Sequence, residues 1–234
     1  MDVFTENRGE VLTAFGVTVE IVVLAGILAM AVGTVLAGLR VSPIPLGRAF
    51  GTGYVYVVRN TPLLLIMFLF VFGLPELGIR PEVDLNAWLG LDTRQDLLTF
   101  NVFFLFATAA LGLYTAAFVC EAIRSGINAV DVGQAEAARS VGMTFGQTLR
   151  LIVLPQAFRA VIPPLASTLI AMTKNSSVAV AVGVTELTFL SKKYANDNAD
   201  QLWTIFIGIA LFYIFLVAII STTATFLERR LAVA

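Results

Sequence analysis

Residues 121–155 read EAIRSGINAVDVGQAEAARSVGMTFGQTLRLIVLP and form a polar island between two apolar stretches. The island contains two signals for the start of a helix, Asp131 and Thr144, and each is followed three residues later by a glutamine. This is the arrangement of a capping box, in which the first side chain accepts a backbone hydrogen bond and the glutamine reaches back. The island therefore predicts two helices rather than a simple connector.

The ends of these helices are marked as well. Gly142 lies at the predicted C-terminal boundary of the first helix, where a left-handed residue is commonly needed. Pro155 lacks a backbone N–H, so it limits the second helix and opens the next segment. We expect two short helices at roughly 132–141 and 145–154.

The composition indicates a chain solvated by lipid. Hydrophobic residues make up 58% of the chain and charged residues 13%, whereas soluble domains have about 25% charged residues. The formal net charge is −1 and the chain has no basic stretch, so nothing suggests nucleic-acid binding.

The inventory of reactive side chains excludes several classes of chemistry. The chain has no histidine, which removes histidine-based triads and histidine metal sites. Its single cysteine, Cys120, cannot form an intrachain disulfide. None of the lysines follows a glycine, so there is no P-loop, and nucleotide hydrolysis would belong to another chain. We predict no catalytic residue, no metal site and no cofactor in this chain.

Five stretches are apolar enough to cross a bilayer, which takes about 20 residues. They are roughly 11–39, 54–74, 98–120, 160–184 and 202–227. The fourth is the weakest, since prolines and a polar cluster interrupt it. The sequence has no linker long enough to separate domains, so we predict a single transmembrane domain over 1–234. We expect an all-α integral membrane protein with five transmembrane helices.

The basic residues predict the orientation. Nine arginines fall on one side of the five-span arrangement, against five arginines and lysines on the other. Because cytoplasmic loops are enriched in Lys and Arg, we expect the N-terminus outside and the C-terminus inside. Residues 121–155 are then cytoplasmic. The MDVFTENRGE start lacks the basic region of a signal peptide.

Lys174 is the sharpest polar feature within a predicted span. A central Lys costs about 2.5–3.5 kcal/mol on insertion scales, so something must offset it. Its neighbours Asn175, Ser176 and Ser177 favour a cavity or an anionic ligand. The alternative is that Lys174 extends to the outer headgroups.

A second polar stretch, Arg59-Asn60-Thr61-Pro62, opens the apolar part of the second span. Thr61 can cap a helix and Pro62 suits a first helical position, which favours a broken helix facing an anion. The alternative is a plain interfacial boundary. Glu121 and Glu186 lie at the ends of spans, and each alone is more often a solvated interface charge. The candidate substrate-path residues are Lys174, Asn175, Ser176, Ser177, Arg59, Asn60, Thr61 and Glu186.

The island also carries a family pattern. Glu136-Ala137-Ala138, then Gly142, then Ile152-Val153-Leu154-Pro155 resembles the EAA signature of the membrane-spanning subunits of ATP-binding-cassette importers. In that family the segment seats in a groove of the ATPase. The resemblance implies a coupling segment at about 121–155, with coupling residues Glu136, Ala137, Ala138, Gly142, Leu154 and Pro155.

Other stretches of the sequence resemble one particular subfamily of these importer subunits. VVRNTPLLL at 57–65 and LIAMTKNSSVAVAVGVTELT at 169–188 resemble the polar amino acid uptake permeases. The Arg-Asn-Thr-Pro variant, RVSP at 40–43 and ERRLAV at 228–233 are similar to the actinobacterial glutamate-uptake permeases.

Membership implies a type I importer in the bacterial cytoplasmic membrane. Its partners are a second permease, alike or paralogous, an ATPase dimer that binds ATP and Mg, and an extracytoplasmic amino acid-binding protein. We predict a permease for a polar amino acid, with glutamate as substrate.

Other functions remain open. Glutamine or another polar amino acid is the nearest alternative substrate. An ion-driven secondary transporter would account for Lys174 but not for the island, and such transporters usually carry repeats across more spans. A membrane-embedded enzyme is disfavoured because the chain has no histidine and no clustered metal ligands.

Overall fold

The computed structural model describes residues 2–79 and 102–231, and in these ranges the chain forms helices and no strands. The α-helices are α1 Asp2–Glu6, α2 Arg8–Val41, α3 Pro45–Arg59, α4 Leu63–Phe68, α5 Leu74–Glu76, α6 Val102–Asn128, α7 Val132–Ser140, α8 Phe145–Thr148, α9 Leu154–Asn175, α10 Leu187–Asp197 and α11 Leu202–Leu231. Turns of π-helix fill Leu69–Gly73 and Leu149–Val153, and 3-10 helices span Ser176–Val182 and Ala199–Gln201.

Within the described residues, four continuous helical segments are long and apolar enough to cross a membrane. They are Arg8–Val41, Val102–Asn128, Phe145–Val182 and Ala199–Leu231. A fifth crossing is formed if Pro45–Arg59 and Leu63–Glu76, which meet at a bend of 105°, count as one broken span. The predicted all-α membrane fold is confirmed, and the start of the predicted third span, 98–101, lies outside the described residues.

Helices α2 and α6 pack side by side at the centre of the bundle. The small residues Ala29, Gly33 and Ala37 lie buried on α2. A Cβ atom added to Gly33 would lie 2.6 Å from a methyl of Val119 and 2.9 Å from the carbonyl of Ala116. Small side chains are therefore required for this close approach, as is usual where packing drives helix association in lipid.

Three apolar clusters hold the remaining helices to this pair. The first joins α2, α4 and α6 to the end of α9, the second joins α1, α2, α10 and α11, and the third joins α2, α3 and α6. Most of the α6 span is buried, whereas α9 and α11 bury only a small share of theirs. Helices α9 and α11 thus present broad faces that residues 2–79 and 102–231 do not cover.

Both π-helical turns precede a proline. Pro75 and Pro155 follow the turns at Leu69–Gly73 and Leu149–Val153. A proline ring in a helix clashes with the carbonyl four residues earlier, and here that carbonyl belongs to the middle of each π-helical turn. The wider π-helical turn relieves the clash without ending the helix.

This geometry corrects two sequence predictions. The second short helix does not stop at 154, because α8 continues through the π-helical turn into α9. The predicted fourth span at 160–184 does not remain α-helical, since it changes to a 3-10 helix at Ser176 and ends at Gly183, whose φ is +87°.

Candidate functional site

The polar island begins with a capped helix. Asp131 Oδ1 accepts a hydrogen bond from the backbone N–H of Gly133 at 2.8 Å, which fixes the start of α7. The predicted capping box is not completed here, because the side chain of Gln134 is turned elsewhere. Its Oε1 accepts a hydrogen bond from Nε2 of Gln156 at 3.1 Å. Gln134 therefore links α7 to the first turns of α9, a role that the sequence pattern did not reveal.

The turn after α7 is as predicted. Gly142 has a φ of +86°, in the left-handed region. Its N–H bonds to the carbonyl of Arg139 at 3.0 Å, and the N–H of Met143 bonds to the carbonyl of Ala138 at 3.1 Å. These two bonds form a Schellman motif, which satisfies carbonyls at the end of the helix.

The second predicted capping box is confirmed. Thr144 Oγ1 accepts a hydrogen bond from the N–H of Gln147 at 3.3 Å, and Gln147 Oε1 accepts one from the N–H of Thr144 at 2.8 Å. The path from Asp131 to Gln156 is therefore a helix–turn–helix whose turn and helix starts are fixed by hydrogen bonds. Its second helix is continuous with α9.

The helix–turn–helix exposes two large apolar side chains at its turn. Val141 is 80% exposed and Phe145 is 74% exposed. Glu136, Ala137, Gly142, Leu154 and Pro155 are exposed as well, whereas Ala138 is buried. Val141 lies outside the membrane-length segments, where an exposed apolar side chain suits a surface that another protein covers, whereas Phe145 begins the segment Phe145–Val182.

Lys174 lies in the last turn of α9, near the middle depth of the bundle. The depth follows from its neighbour Met172, whose terminal methyl lies against Gly26, close to the centre of the long helix α2. Lys174 is exposed, and no described carboxylate from 2–79 or 102–231 pairs with it. An exposed ammonium at this depth needs water or an anion beside it.

The polar neighbours of Lys174 divide into two groups. Ser176 is buried and donates to the carbonyl of Thr173 at 2.7 Å, and Ser177 donates to the carbonyl of Lys174 at 2.7 Å. These hydroxyls stabilise the change from α-helix to 3-10 helix. Asn175 instead lines a cavity of about 330 Å³ between α6 and α9, together with Tyr114, Thr115, Phe118, Ser167, Thr168, Ala171 and Met172.

The Arg59-Asn60-Thr61-Pro62 stretch is a break between two helices, as one interpretation of the sequence predicted. Its details differ, because Thr61 Oγ1 donates backwards to the carbonyl of Val57 at 2.8 Å. Pro62 is itself the N-cap of α4 and makes no side-chain cap. Thr61 thus ends α3 rather than starting α4.

Glu121 is the centre of an ion cluster rather than an isolated interface charge. Its Oε1 pairs with the guanidinium of Arg40, and Nη1 of Arg59 and of Arg124 lie 3.9 and 3.8 Å from the same oxygen. The Arg59 guanidinium also lies over the ring of Phe118, 5.4 Å from its centroid. Sequence reasoning missed this cluster, although charged residues at the ends of long apolar helices are a signal for it.

Glu186 is buried, so it is not a solvated interface charge. It is 0% exposed and caps α10, accepting bonds from the N–H groups of Thr188 at 2.9 Å and Phe189 at 3.0 Å, and from Tyr213 Oη at 2.7 Å. Burial raises the pKa of Glu186, whereas these hydrogen bonds act in the opposite direction. Glu186 thus caps α10 with a buried carboxylate, and it also lines a cavity of about 550 Å³ together with Glu10 and Lys193.

The sequence matches a family model over residues 29–233, that of the binding-protein-dependent transport system inner membrane component. The chain belongs to this family. It is thus a translocation component that lies in the membrane, and the helix–turn–helix lies within the matched residues. No cluster of three metal-ligating side chains occurs among the described residues.

Individual members of the family are closely similar over their whole length. The chain is 43% identical over 224 residues to the glutamate transport system permease protein GluC of Corynebacterium glutamicum, which covers 95% of this chain and 94% of that protein. It is 38% identical to the probable glutamine ABC transporter permease protein GlnM of Bacillus subtilis, covering 89% and 88%.

A solved structure of the family has the same fold. A chain in the crystal structure of an amino acid ABC transporter with histidines superposes with a TM-score of 0.81 at 27% identity, with 97% of each chain covered. The fold of the permease is therefore that of an ABC importer, including the helices that carry the polar residues described above.

Proposed function

We propose that this chain is the permease subunit of an ATP-driven importer for a polar amino acid, with glutamate as the substrate. The observation that carries the proposal is the 43% identity to a glutamate transport permease over 95% of the chain. The 38% identity to a probable glutamine permease makes glutamine the second candidate substrate.

The helix–turn–helix of the polar island is the proposed contact to the ATPase. Its exposed apolar residues at the turn, Val141 and Phe145, are not covered by the described part of the chain, and they lie before and at the start of the membrane-length segment Phe145–Val182. The Gln134–Gln156 hydrogen bond ties this surface to α9. Movement of the ATPase dimer on binding ATP and Mg would thus be passed to α9 and to the residues near Lys174.

The remaining partners and the orientation follow from the same proposal. A second permease, alike or paralogous, covers the open faces of α9 and α11, and an extracytoplasmic binding protein delivers the amino acid. The polar island and the C-terminus face the cytoplasm, and the N-terminus faces outward. Nine basic residues on the proposed cytoplasmic side support this orientation.

The proposed substrate path passes the end of α9. Lys174 is a cation at the middle depth of the bundle, and Asn175 lines the adjacent cavity. Both are suited to receive the carboxylate of an amino acid, since charge-assisted hydrogen bonds are roughly twice as strong as neutral ones. Ser176 and Ser177 support the backbone at this point, and Arg59, Asn60 and Thr61 lie at the break between α3 and α4.

Uptake into proteoliposomes tests the proposal. The chain is co-purified with its ATPase, its partner permease and the binding protein, and labelled glutamate and glutamine are offered separately. We expect glutamate uptake that requires ATP and the binding protein and that vanadate abolishes. Uptake that survives vanadate and instead follows an ion gradient would establish a secondary transporter, and uptake of glutamine alone would overturn the choice of substrate.

A further inference from the structure

The ion cluster around Glu121 contains more positive than negative charge. Arg40, Arg59 and Arg124 all approach the same carboxylate oxygen, Oε1 of Glu121. Within 2–79 and 102–231 these three arginines have no other carboxylate partner. One carboxylate cannot satisfy three guanidinium groups, each of which has five N–H donors. The cluster therefore has a surplus of two positive charges.

Two of the three arginines face a cavity. A space of about 410 Å³ is lined by Arg40 and Arg59, with Asn60, Phe118 and Glu121 beside them, so the lining itself has a surplus of one positive charge. This volume is within the range of small-molecule sites in proteins. Arg40 is only 12% exposed, whereas Arg59 is 45% exposed, so the cavity has a fixed inner cation and an accessible outer one. A partly desolvated cavity with a positive surplus attracts anions.

Phe118 connects this cavity to the one beside Lys174. Its side chain lines both the cavity at Arg59 and the cavity at Asn175. On one side its ring packs on Tyr114, with centroids 5.1 Å apart, and on the other it lies under the Arg59 guanidinium. Tyr114, Phe118 and Glu121 fall on one face of α6, because residues three and four apart are neighbours on a helix.

We propose that the two cavities are successive stations of one path and that the arginine-lined cavity is the second, an anion-selective station. This inference rests on the proposed function and specifies it further. A carboxylate of the substrate binds Arg59 in competition with Glu121, and the ring of Phe118 separates the two stations. Glu121 lowers the affinity of the station for the substrate, because its carboxylate pairs with the arginines again when the substrate leaves.

Because Glu121 and the substrate compete for the same arginines, neutralising an arginine and neutralising Glu121 should change substrate binding in opposite directions. Removing a cation from the station should weaken the binding of an acidic amino acid. Removing the competing carboxylate should strengthen it, since Arg40 and Arg59, which line the cavity, would then be free for the ligand. A merely structural role of the cluster would not produce opposite signs, because either change would loosen the same contact between α3 and α6.

The test uses the complete transporter in nanodiscs, free of nucleotide and of the binding protein. Binding of labelled glutamate is measured by scintillation proximity. We expect Arg59→Gln to weaken binding about tenfold and Glu121→Gln to strengthen it, with Arg59→Lys close to wild type. Arg48→Gln is the matched control, since Arg48 lies on the same helix, is exposed and has no place in the cluster. Arg40→Gln repeats the experiment on the second lining arginine if Arg59→Gln does not assemble.

Several results would overturn the inference. Glutamate binding that is unchanged in Arg59→Gln and Arg40→Gln would show that the cluster only holds the helices together. So would a fall in binding in these two variants and in Glu121→Gln as well. An Arg59 effect that is present in anionic lipid and disappears in purely zwitterionic lipid would show that Arg59 responds to anionic lipid headgroups and not to glutamate. ATP-driven uptake by the wild type, measured first in the same preparation, shows whether the proposed function holds independently of this station.

Discussion

The side chains of Gln134 and Gln156 are joined by a hydrogen bond of 3.1 Å, although they lie 22 residues apart in the sequence. Gln134 belongs to the exposed helix α7, and Gln156 belongs to the start of α9, which leads to Lys174. Gln156 also donates to the carbonyl of Ile152 at 2.9 Å, in the π-helical turn that leads into α9. This hydrogen bond joins α7, on the surface of the polar island, to the start of α9, which extends into the bundle.

Gln156→Leu should reduce the coupling between hydrolysis and transport. A hydrogen bond of this kind is worth about 0.5–1.5 kcal/mol, so the number of amino acids moved per ATP should fall by up to about tenfold. The measurement is uptake and phosphate release in the same proteoliposomes. Ser140→Ala is the control, because Ser140 bonds only to a carbonyl of its own helix. An unchanged ratio in Gln156→Leu would show that the link is dispensable.

Gly142→Val should separate insertion from ATPase association. The φ of +86° is unfavourable for a β-branched residue, and a non-glycine residue in this region costs about 1–2 kcal/mol. No atom lies within 4 Å of an added Cβ, so the effect comes from the backbone rather than from a clash. We expect normal membrane insertion, with loss of ATPase copurification and of transport.

The control for Gly142→Val is Gly146→Ala. Gly146 also has free space around it, but it lies within α8 and lacks a positive φ. Gly146→Ala should therefore bind the ATPase normally. Normal copurification and transport in Gly142→Val would argue against the ATPase contact at this turn.

The orientation predicts opposite labelling of two exposed positions. Single cysteines at Asp197 and at Gln147, in a Cys120→Ser background, are treated with an impermeant thiol reagent on intact cells and on inverted vesicles. Asp197→Cys should label from outside and Gln147→Cys from inside, since α10 and the polar island lie at opposite ends of α9. Labelling of both from one face would refute the topology.

Lys174→Met should reduce uptake by roughly ten- to hundredfold while assembly stays normal. A charge-assisted hydrogen bond to a substrate carboxylate is worth about 1.5–3 kcal/mol, and each 1.4 kcal/mol is about a factor of ten. Methionine keeps much of the volume of lysine and removes the insertion cost of the charge. Uptake is compared with that of Lys192→Met, an exposed lysine of α10. Equal uptake in both variants would place the substrate carboxylate elsewhere.

Glu186→Ala should destabilise the protein by about 1–3 kcal/mol. The change leaves two N–H groups of α10 and the hydroxyl of Tyr213 without their acceptor. The midpoint of thermal inactivation in detergent should fall, whereas Glu186→Gln, which keeps one acceptor oxygen, should lose less. Glu10→Ala is the comparison, because its exposed pair with Lys193 is worth at most about 1 kcal/mol. Equal effects of Glu186→Ala and Glu10→Ala would contradict the structural role.

By itself the sequence determined the features that depend on neighbouring residues and on apolar length. The membrane class, the helix starts at Asp131 and Thr144 and the left-handed turn at Gly142 were all predictable, because a cap or a turn involves only a few consecutive residues. The break at Arg59–Pro62 was predictable as one of two interpretations, since proline signals a boundary without fixing which helix Thr61 joins.

Only the tertiary structure decided which side chains meet across helices. Glu121 gathers arginines from α2, α3 and α6, and Glu186 is buried against Tyr213, although both carboxylates had equal reason to be solvated interface charges. Gln134 leaves its predicted capping box for Gln156 because a partner from α9 lies within reach. These choices depend on the relative rotation and depth of packed helices. Short-range sequence patterns do not encode those quantities, because the contacts join residues tens of positions apart.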